Sequence, residues 1–507
     1  LIAIPIALAI LVGVLGLSWA ILIPFLFAGA TIMGTLGLVY VYASHLVTAT
    51  YVTNLVQLIG LGIAVDYSLL IVYRFREETA REGPVEDAVV RTMQTAGRAV
   101  VFSGGVVAIG LGLLLFMPLP FMRSLGVGGL LIPLVSIAAA VTLQPALLSV
   151  FGRRGTRRVR VWRRGTPPRE VEQGFWARLA RSIMRRPAMY LAAGSAALLT
   201  AAAPALALHL TPGSADGIPR HPQAIRGFDL LRAAVGPGVI SPTQVLVDSG
   251  EGGHVRDPAV AAAIGRLLRG VSADREVEGA FYRPGGRFVD RSGRYAQVLV
   301  AGRHEYGQAP SQAFVRRLRG SIIPEARFPE GVRVLAGGGP PQGVDFLDQA
   351  YRYFPWLVLA VLVLTYLLLM RAFRSLLLPL KAVVLNLLSV AAAYGMLVVA
   401  FKWGAGESLF GLYRYPQIEG WIPIFLFAML FGLSMDYEVF LVSRMREAWD
   451  ETHDNVRAVG LGLERTGRIV SAAAIIMVAA FSGFVAGRVA GLQEFGAGLA
   501  LAILIDA

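Results

Sequence analysis

The chain has 507 residues, 55% of them hydrophobic, and its mean hydropathy of +0.61 excludes a single water-soluble domain. It contains no cysteine, which excludes disulfides, thiolate metal sites and cysteine nucleophiles. The formal charge of +14 gathers in short segments beside apolar runs. We therefore expect an anionic membrane surface, and no nucleic acid, as the partner of this charge.

Eleven apolar runs approach the roughly 20 residues that a helix needs to cross a bilayer. They form groups of five, one and five: 1–17, 21–43, 54–73, 98–118, 124–150, 188–208, 354–370, 375–400, 419–442, 467–487 and a clipped run from 492. The chain begins at Leu1 inside one run and stops at Ala507 inside another, which indicates a fragment.

The Arg-rich short connections set the predicted orientation. Segments 74–97, 151–187 and 443–466 are rich in Arg, whereas 44–53 has no basic residue, so the Arg-rich loops are expected in the cytoplasm. Segment 151–187 is predicted to be a basic linker that ends in an interfacial helix. On that helix Phe175, Trp176, Leu179 and Ile183 share one face.

The alternating spans place the long hydrophilic segment 209–353 outside the cytoplasm. Its apolar periodicity predicts a helix near 222–235 and then strands and helices in the order βαββαβ, the split-βαβ pattern. The predicted units are therefore a first bundle (1–150), the linker (151–187), one span (188–208), an extracytoplasmic α+β domain (209–353) and a second bundle (354–507).

The same motif occurs in both bundles. Residues 62–78 read GIAVDYSLLIVYRFREE and residues 432–448 read GLSMDYEVFLVSRMREA, so the copies lie 370 residues apart. Matching residues keep this 370-residue offset without a gap over more than sixty residues, which indicates an internal duplication of a helical membrane unit.

Each copy places an Asp-Tyr pair inside an apolar run. A carboxylate in hydrocarbon costs roughly 3 kcal/mol or more, so two at equivalent depths predict a function, and proton coupling is the reaction that a buried carboxyl suits. We expect Asp66 and Tyr67 to face Asp436 and Tyr437 across a pseudo-twofold axis. Gly62 and Gly432, one turn earlier, are expected to let neighbouring helices approach closely.

Other chemistry is not predicted. The six His residues are scattered without paired spacing, so no metal site, cofactor or catalytic group is expected. The run from Gly337 to Pro341 lacks the Lys-Ser/Thr of a phosphate loop and is interpreted as a turn.

These motifs, together with GRAVVFSGG and LLLFMPLPFMRSLG, resemble the mycobacterial membrane protein large (MMPL) family of the resistance-nodulation-division superfamily. The resemblance implies twelve spans in two halves, each half with a porter domain after its first helix. On that template this chain lacks the first span, the first porter domain and the end of the last span. The resemblance thus implies an α-helical polytopic fold with a duplicated bundle, in which 209–353 would be the second porter domain.

The resemblance also implies a multi-pass protein of the bacterial inner membrane that exports lipids or other hydrophobic compounds, drugs included, in exchange for protons. Its proton relay maps onto Asp66, Tyr67, Asp436 and Tyr437. The family often has an aromatic residue four positions after the Asp, and Phe440 fits this gate position whereas Leu70 does not. Protons, a lipid substrate and membrane lipids are the implied partners, and a homo-oligomer stays open.

Two alternatives stay open from the residues. A relative within the superfamily that acts in protein export or senses sterols or lipids would show the same bundle. An intramembrane aspartyl protease also uses two Asp residues in helices, but such enzymes need a pair that shares one proton. They are recognised by Tyr-Asp and Gly-x-Gly-Asp motifs, and here the order is Asp-Tyr.

Overall fold

The computed structural model describes residues 8, 12, 21–80, 83–156, 175–218, 221–487 and 489–506. The side chains of 153–156, 435–437, 465 and 468 are outside this description. The predicted span 1–17, apart from Leu8 and Val12, and the middle of the basic linker lie outside the described residues.

The described part of the first half contains four long apolar helices. They are α1 (Leu22–Ala43), α2 (Tyr51–Thr79), α3 (Val85–Phe116) and α4 (Pro120–Gly152). A π-helical turn at Met93–Gly97 interrupts α3, and Thr142 separates two segments of α4. Because α2 is apolar around most of its circumference, it is buried among the other helices.

Two helices connect the halves. A helix is present where an interfacial helix was predicted, as α5 (Phe175–Arg185), and α6 (Pro187–Ala207) follows it; the location of α5 at the membrane interface stays a prediction. Ala177 and Ala180 are buried, and the Trp176 indole packs over Gly467 of the second half, where an added Cβ would lie 2.5 Å from the ring. The helix therefore docks on the bundle through small residues and Trp176, while Phe175 stays exposed.

Segment 209–353 folds as an α+β domain. Its helices are α7 (Gln223–Val235), α8 (Pro258–Ser272) and α9 (Ala309–Arg317), and its strands are β1 (Leu210–Thr211), β2 (Thr243–Asp248), β3 (Val277–Phe281), β4 (Tyr295–Gly302) and β5 (Arg333–Gly338). Strands β2 to β5 form an antiparallel sheet in the order β3-β4-β2-β5. This is the arrangement of a split-βαβ fold, and it confirms the predicted porter-type domain.

Alternation along β2 explains the packing of this domain. Val245 and Val247 are fully buried, whereas the alternate residues Gln244 and Leu246 are exposed. Leu267 of α8 and Phe314 of α9 belong to the same apolar core, so both helices cover one face of the sheet.

The second half begins where β5 passes directly into α10 (Gly339–Phe373). Gly338 has φ +92°, and Pro340 and Pro341 occupy the first helical turn. The Gly-Gly-Gly-Pro-Pro run is thus a strand-to-helix junction. The remaining elements are α11 (Leu377–Lys402), β6 (Ile418–Glu419), α12 (Trp421–Thr452), α13 (Asn455–Val485) and α14 (Ala490–Asp506).

Eight described helices are long and apolar enough to cross a membrane: α1, α2, α3, α4, α6, α10, α11 and α12. A ninth is α13, if its two segments, bent by 41°, form one span. Nine of the eleven predicted spans coincide with these helices. The clipped run from 492 is α14, which has 17 residues.

The duplication is visible in the helix boundaries. Helices α12, α13 and α14 begin 370 residues after α2, α3 and α4 respectively. The contacts between the halves are also symmetric. Helix α3 packs along α12, the equivalent of α2, and α2 packs along α13, the equivalent of α3. The two repeats therefore meet about a pseudo-twofold axis. We call the end of the bundle that carries the α+β domain the porter side.

Candidate functional site: a buried carboxyl on the repeat axis

Asp66 and Tyr67 lie in the middle of the membrane bundle. Their helix, α2, is apolar on both sides of the pair, and packing buries both residues, to 7% and 2% exposure. They line a small cavity of about 20 Å³, which is enough for one water molecule.

The cavity lies on the repeat axis. Its lining includes four pairs of residues that the 370-residue offset relates: Leu69 with Val439, Leu70 with Phe440, Ala99 with Ile469, and Ser103 with Ala473. A cavity lined by both members of each pair must lie between the two repeats. The position that the sequence predicts for the relay is therefore the centre of the contact between the halves.

The second Asp-Tyr pair is placed only by its backbone. Asp436 and Tyr437 lie within α12, and their side chains are outside the described residues. Val439 and Phe440, about one helical turn after Asp436, line the same cavity as Asp66. The relation between the two carboxyls thus stays a prediction.

Small residues make room around the pair. An added Cβ at Gly62 would lie 3.1 Å from the Phe481 ring, and one at Gly432 would lie 2.7 Å from the Val107 Cα. Gly104 is a further residue of this kind, because a Cβ there would lie 3.2 Å from the Tyr67 hydroxyl oxygen. Sequence reasoning missed Gly104, although it lies in the quoted GRAVVFSGG motif.

Ser103 reaches the cavity, but its hydroxyl donates to the carbonyl of Val100 at 3.4 Å. Such a bond to the preceding helical turn is common for serine in membrane helices. It gives the Ser103 hydroxyl a partner within its own helix.

A second cavity, of about 310 Å³, lies between this site and the end of the bundle opposite the porter side. We call it the vestibule. It shares Ala99, Val439 and Phe440 with the Asp66 cavity, and Arg74 and Arg444 line its outer part. The Arg444 guanidinium lies 5.6 Å from the centroid of the Phe440 ring. Phe440 therefore separates the Asp66 cavity from a basic opening.

A third cavity, of about 250 Å³, holds charged groups that the sequence reasoning missed or left aside. Lys381 lies 3.7 Å from Glu438, so the two side chains form an ion pair. Asp506 lines the same cavity, as does Ser434. An acid inside the last apolar run was the sequence signal for Asp506. In the described part of the chain no three His, Asp or Glu residues are grouped to hold a metal ion.

Comparison with known proteins identifies the family of this chain. The profile of the MMPL family matches residues 1–190 and 217–507. The chain belongs to the MMPL family. The MMPL family is a family of membrane transporters, so this membership argues against the protease alternative.

The chain is also similar in sequence to individual proteins of the MMPL family. The chain is 34% identical over 505 residues to the heme uptake protein MmpL11 of Mycobacterium tuberculosis, covering 99% of this chain and 51% of that protein. It is 30% identical over 503 residues to the mycolic acid-containing lipids exporter MmpL11 of Mycolicibacterium smegmatis, covering 99% and 52%.

The trehalose monomycolate exporter MmpL3 of M. tuberculosis is 31% identical over 535 residues, covering 100% of this chain and 56% of that protein. This chain spans about half the length of these relatives. The MMPL profile and the alignments together account for both membrane halves and most of the α+β domain between them.

Proposed function

We propose that this chain is the proton-coupled core of an exporter that moves lipids or other hydrophobic or amphiphilic molecules out of the bacterial inner membrane. The observation that carries the proposal is the buried Asp66 in a water-sized cavity on the axis between the repeats. Two relatives are named as exporters of mycolic acid-containing lipids and trehalose monomycolate, which supports a lipid substrate.

The proposed chemistry is reversible protonation. A carboxyl binds a proton at its oxygen and is then neutral, and its ionised form costs roughly 3 kcal/mol more in hydrocarbon. Because helices of both repeats line the cavity, a change of charge at Asp66 alters the contact between the halves. Tyr67, Asp436 and Tyr437 complete the proposed relay, and a proton entering down 100 mV supplies about 2.3 kcal/mol.

Phe440 is the proposed gate of this relay. It lines both the Asp66 cavity and the vestibule, so rotation of one ring would open or close the connection between them. The vestibule faces the side on which the Arg-rich loops lie, which is the expected exit for protons.

The test uses the complete gene product that contains this chain, reconstituted in liposomes with a pH gradient. A mycolic-acid glycolipid and a lipophilic dye serve as substrates. We expect Asp66→Asn and Asp436→Asn each to reduce proton-driven flux to the level of empty liposomes. The matched control is Asp450→Asn, since Asp450 is exposed on the same helix as Asp436. Undiminished flux in both relay variants would refute the proposal.

A further inference from the structure

A second pair of carboxyls is enclosed at the porter side of the bundle. Glu419 lies at the end of β6, and Glu494 lies one turn into α14. Glu494 is 0% exposed, and its Oε2 accepts the backbone N–H of Glu419 at 3.0 Å. The Trp421 indole N–H donates to Glu419 Oε2 at 2.6 Å. Helix α14 closes over Glu419, because a Cβ at Gly491 would lie 2.3 Å from that oxygen.

One oxygen of this pair has no hydrogen-bond partner among the described residues. Glu494 Oε1 is fully buried and accepts no hydrogen bond from any of them. An ionised carboxylate left in this way pays its full desolvation cost. A protonated carboxyl does not, since the oxygen then carries a neutral O–H group.

The surroundings supply no positive charge from the described part of the chain. The titratable groups that face the pair are Tyr51 of α2, Tyr306 of the α+β domain and Tyr415 of the segment before β6. Burial raises the pKa of Tyr306 and Tyr415, so both are neutral at pH 7. Within the described residues no Arg, Lys or His forms an ion pair with either glutamate. Burial also raises the pKa of Glu419, against the opposing effect of the Trp421 N–H.

Comparison of the repeats shows that packing does not require the carboxyls. The residue that corresponds to Glu494 in the first half is Ser124, and the one that corresponds to Glu419 is Ala49. Ser124 donates to the carbonyl of Pro120 at 2.9 Å and reaches that of Val47 at 3.5 Å. A neutral hydroxyl thus fills this position in the first half. The carboxyl pair is specific to the second.

The pair also lies at the joint between the bundle and the α+β domain. Strand β6 pairs with β1 in register, Thr211 opposite Glu419, and Gly420 N–H donates to the Thr211 carbonyl at 2.8 Å. The Tyr351 hydroxyl of α10 donates to the Gly420 carbonyl at 3.0 Å. A change of charge here acts on β1, β6, α10 and α14 at once.

We infer that Glu419 and Glu494 together bind one proton at the porter side, as an acceptor separate from Asp66. The proton comes from water on that side and forms an O–H bond at Glu494 Oε1, because Oε2 already accepts the Glu419 N–H. Tyr51, which faces Glu419, precedes Asp66 by 15 residues on α2, or about 22 Å. The role of this proton in transport rests on the proposed function, but its binding does not.

Infrared spectroscopy of the complete protein in lipid nanodiscs at pH 7 tests the binding. We expect a C=O band of a buried carboxylic acid that Glu494→Gln removes and Asp66→Asn leaves in place. Glu494→Ser places the first-half residue at this position and should also remove the band with the fold intact. Glu407→Gln, an exposed acid in the same segment, is the matched control and should change nothing. A spectrum unchanged in both Glu494 variants would overturn the inference.

Transport in liposomes tests the role. Glu494→Gln should shift the external pH of half-maximal flux by about one unit or more while flux stays proton-driven. If the pH profile of flux does not shift in Glu494→Gln, the inferred role of this proton in transport is overturned. Failure of the proposed function has a different signature, since flux would then persist in Asp66→Asn whatever the infrared band at Glu494 shows.

Discussion

Arg444 of the second repeat reaches Glu77 of the first, with 3.3 Å between Nη2 and Oε2, and also pairs with its own Glu447 at 2.8 Å. The equivalent Arg74 pairs with Glu77 and with the buried Glu78, each at 3.0 Å. Glu78 corresponds to Ala448 in the second repeat. The extra acid holds Arg74 within its own half, which explains why the two arginines differ.

We therefore expect Arg74→Gln to destabilise the bundle more than Arg444→Gln. The first change removes a partner of an acid that is only 1% exposed and should cost about 1–3 kcal/mol. The second breaks partly solvated ion pairs and should cost below about 1 kcal/mol, less at high salt. Thermal unfolding in detergent at two salt concentrations measures both. Equal losses of stability in the two variants would contradict the explanation that Glu78 holds Arg74 within its own half.

Removal of the Phe440 ring should join the Asp66 cavity to the vestibule. We expect Phe440→Ala to increase proton leak severalfold in the absence of substrate, measured with a pH-sensitive dye inside liposomes. Leu70→Ala is the matched control, because Leu70 is the repeat equivalent and lines the Asp66 cavity but not the vestibule. A leak of equal size in both variants would show that Phe440 is not the gate.

The close approach of α12 and α3 at Gly432 should not tolerate a side chain. A Cβ at Gly432 would lie 2.7 Å from the backbone of Val107, so Gly432→Ala should cost about 1–3 kcal/mol of stability. Gly105 lies on α3 with nothing within 4 Å of an added Cβ, and Gly105→Ala should be neutral or stabilising. Thermal unfolding of the two variants gives the comparison. Similar melting temperatures would show that the helices shift at little cost.

Asp248 gives the α+β domain a pH dependence of defined sign. Hydrogen bonds from Arg294 and Arg333 hold the pKa of this carboxyl well below its ordinary value. The stabilisation is therefore complete above the unfolded-state pKa of about 4 and is lost as pH falls through the folded-state value.

Asp248→Asn should lower the free energy of unfolding at neutral pH, and its difference from the wild type should shrink as the pH falls below about 4. Hydrogen exchange of strand β2 at several pH values measures this. Glu251→Gln, at a nearby exposed acid, serves as the control. A difference that stays constant with pH would mean that the hydrogen bonds at position 248 do not depend on its charge.

The sequence predicted the features that repeat or alternate. The 370-residue offset was enough to predict that Asp66 lies on the axis between the halves, and the period-2 pattern of strands such as Thr243–Asp248 predicted the α+β order. Periodicity and duplication are signals that a chain carries within itself, so one sequence is enough to detect them.

Features that arise from tertiary contacts escaped the sequence. Leu210–Thr211 and Ile418–Glu419 are two-residue strands more than 200 residues apart, and no local pattern marks such a short pairing. Glu494 stands near the start of an apolar run, where an acid normally faces water. Only the closure of α14 over β6 reveals that Glu494 is buried. The sequence signal for it was a departure from the repeat, Ser124 against Glu494.

Helix α10 has 35 residues and is about 52 Å long. It begins at Gly339, directly after the last residue of strand β5, and ends at Phe373, so no loop separates the α+β domain from the membrane helix. The α+β domain and the membrane span are therefore joined by one continuous helix. A rigid tilt of the sheet would therefore tilt α10 as well, and α10 is long enough to carry that movement across the thickness of a bilayer.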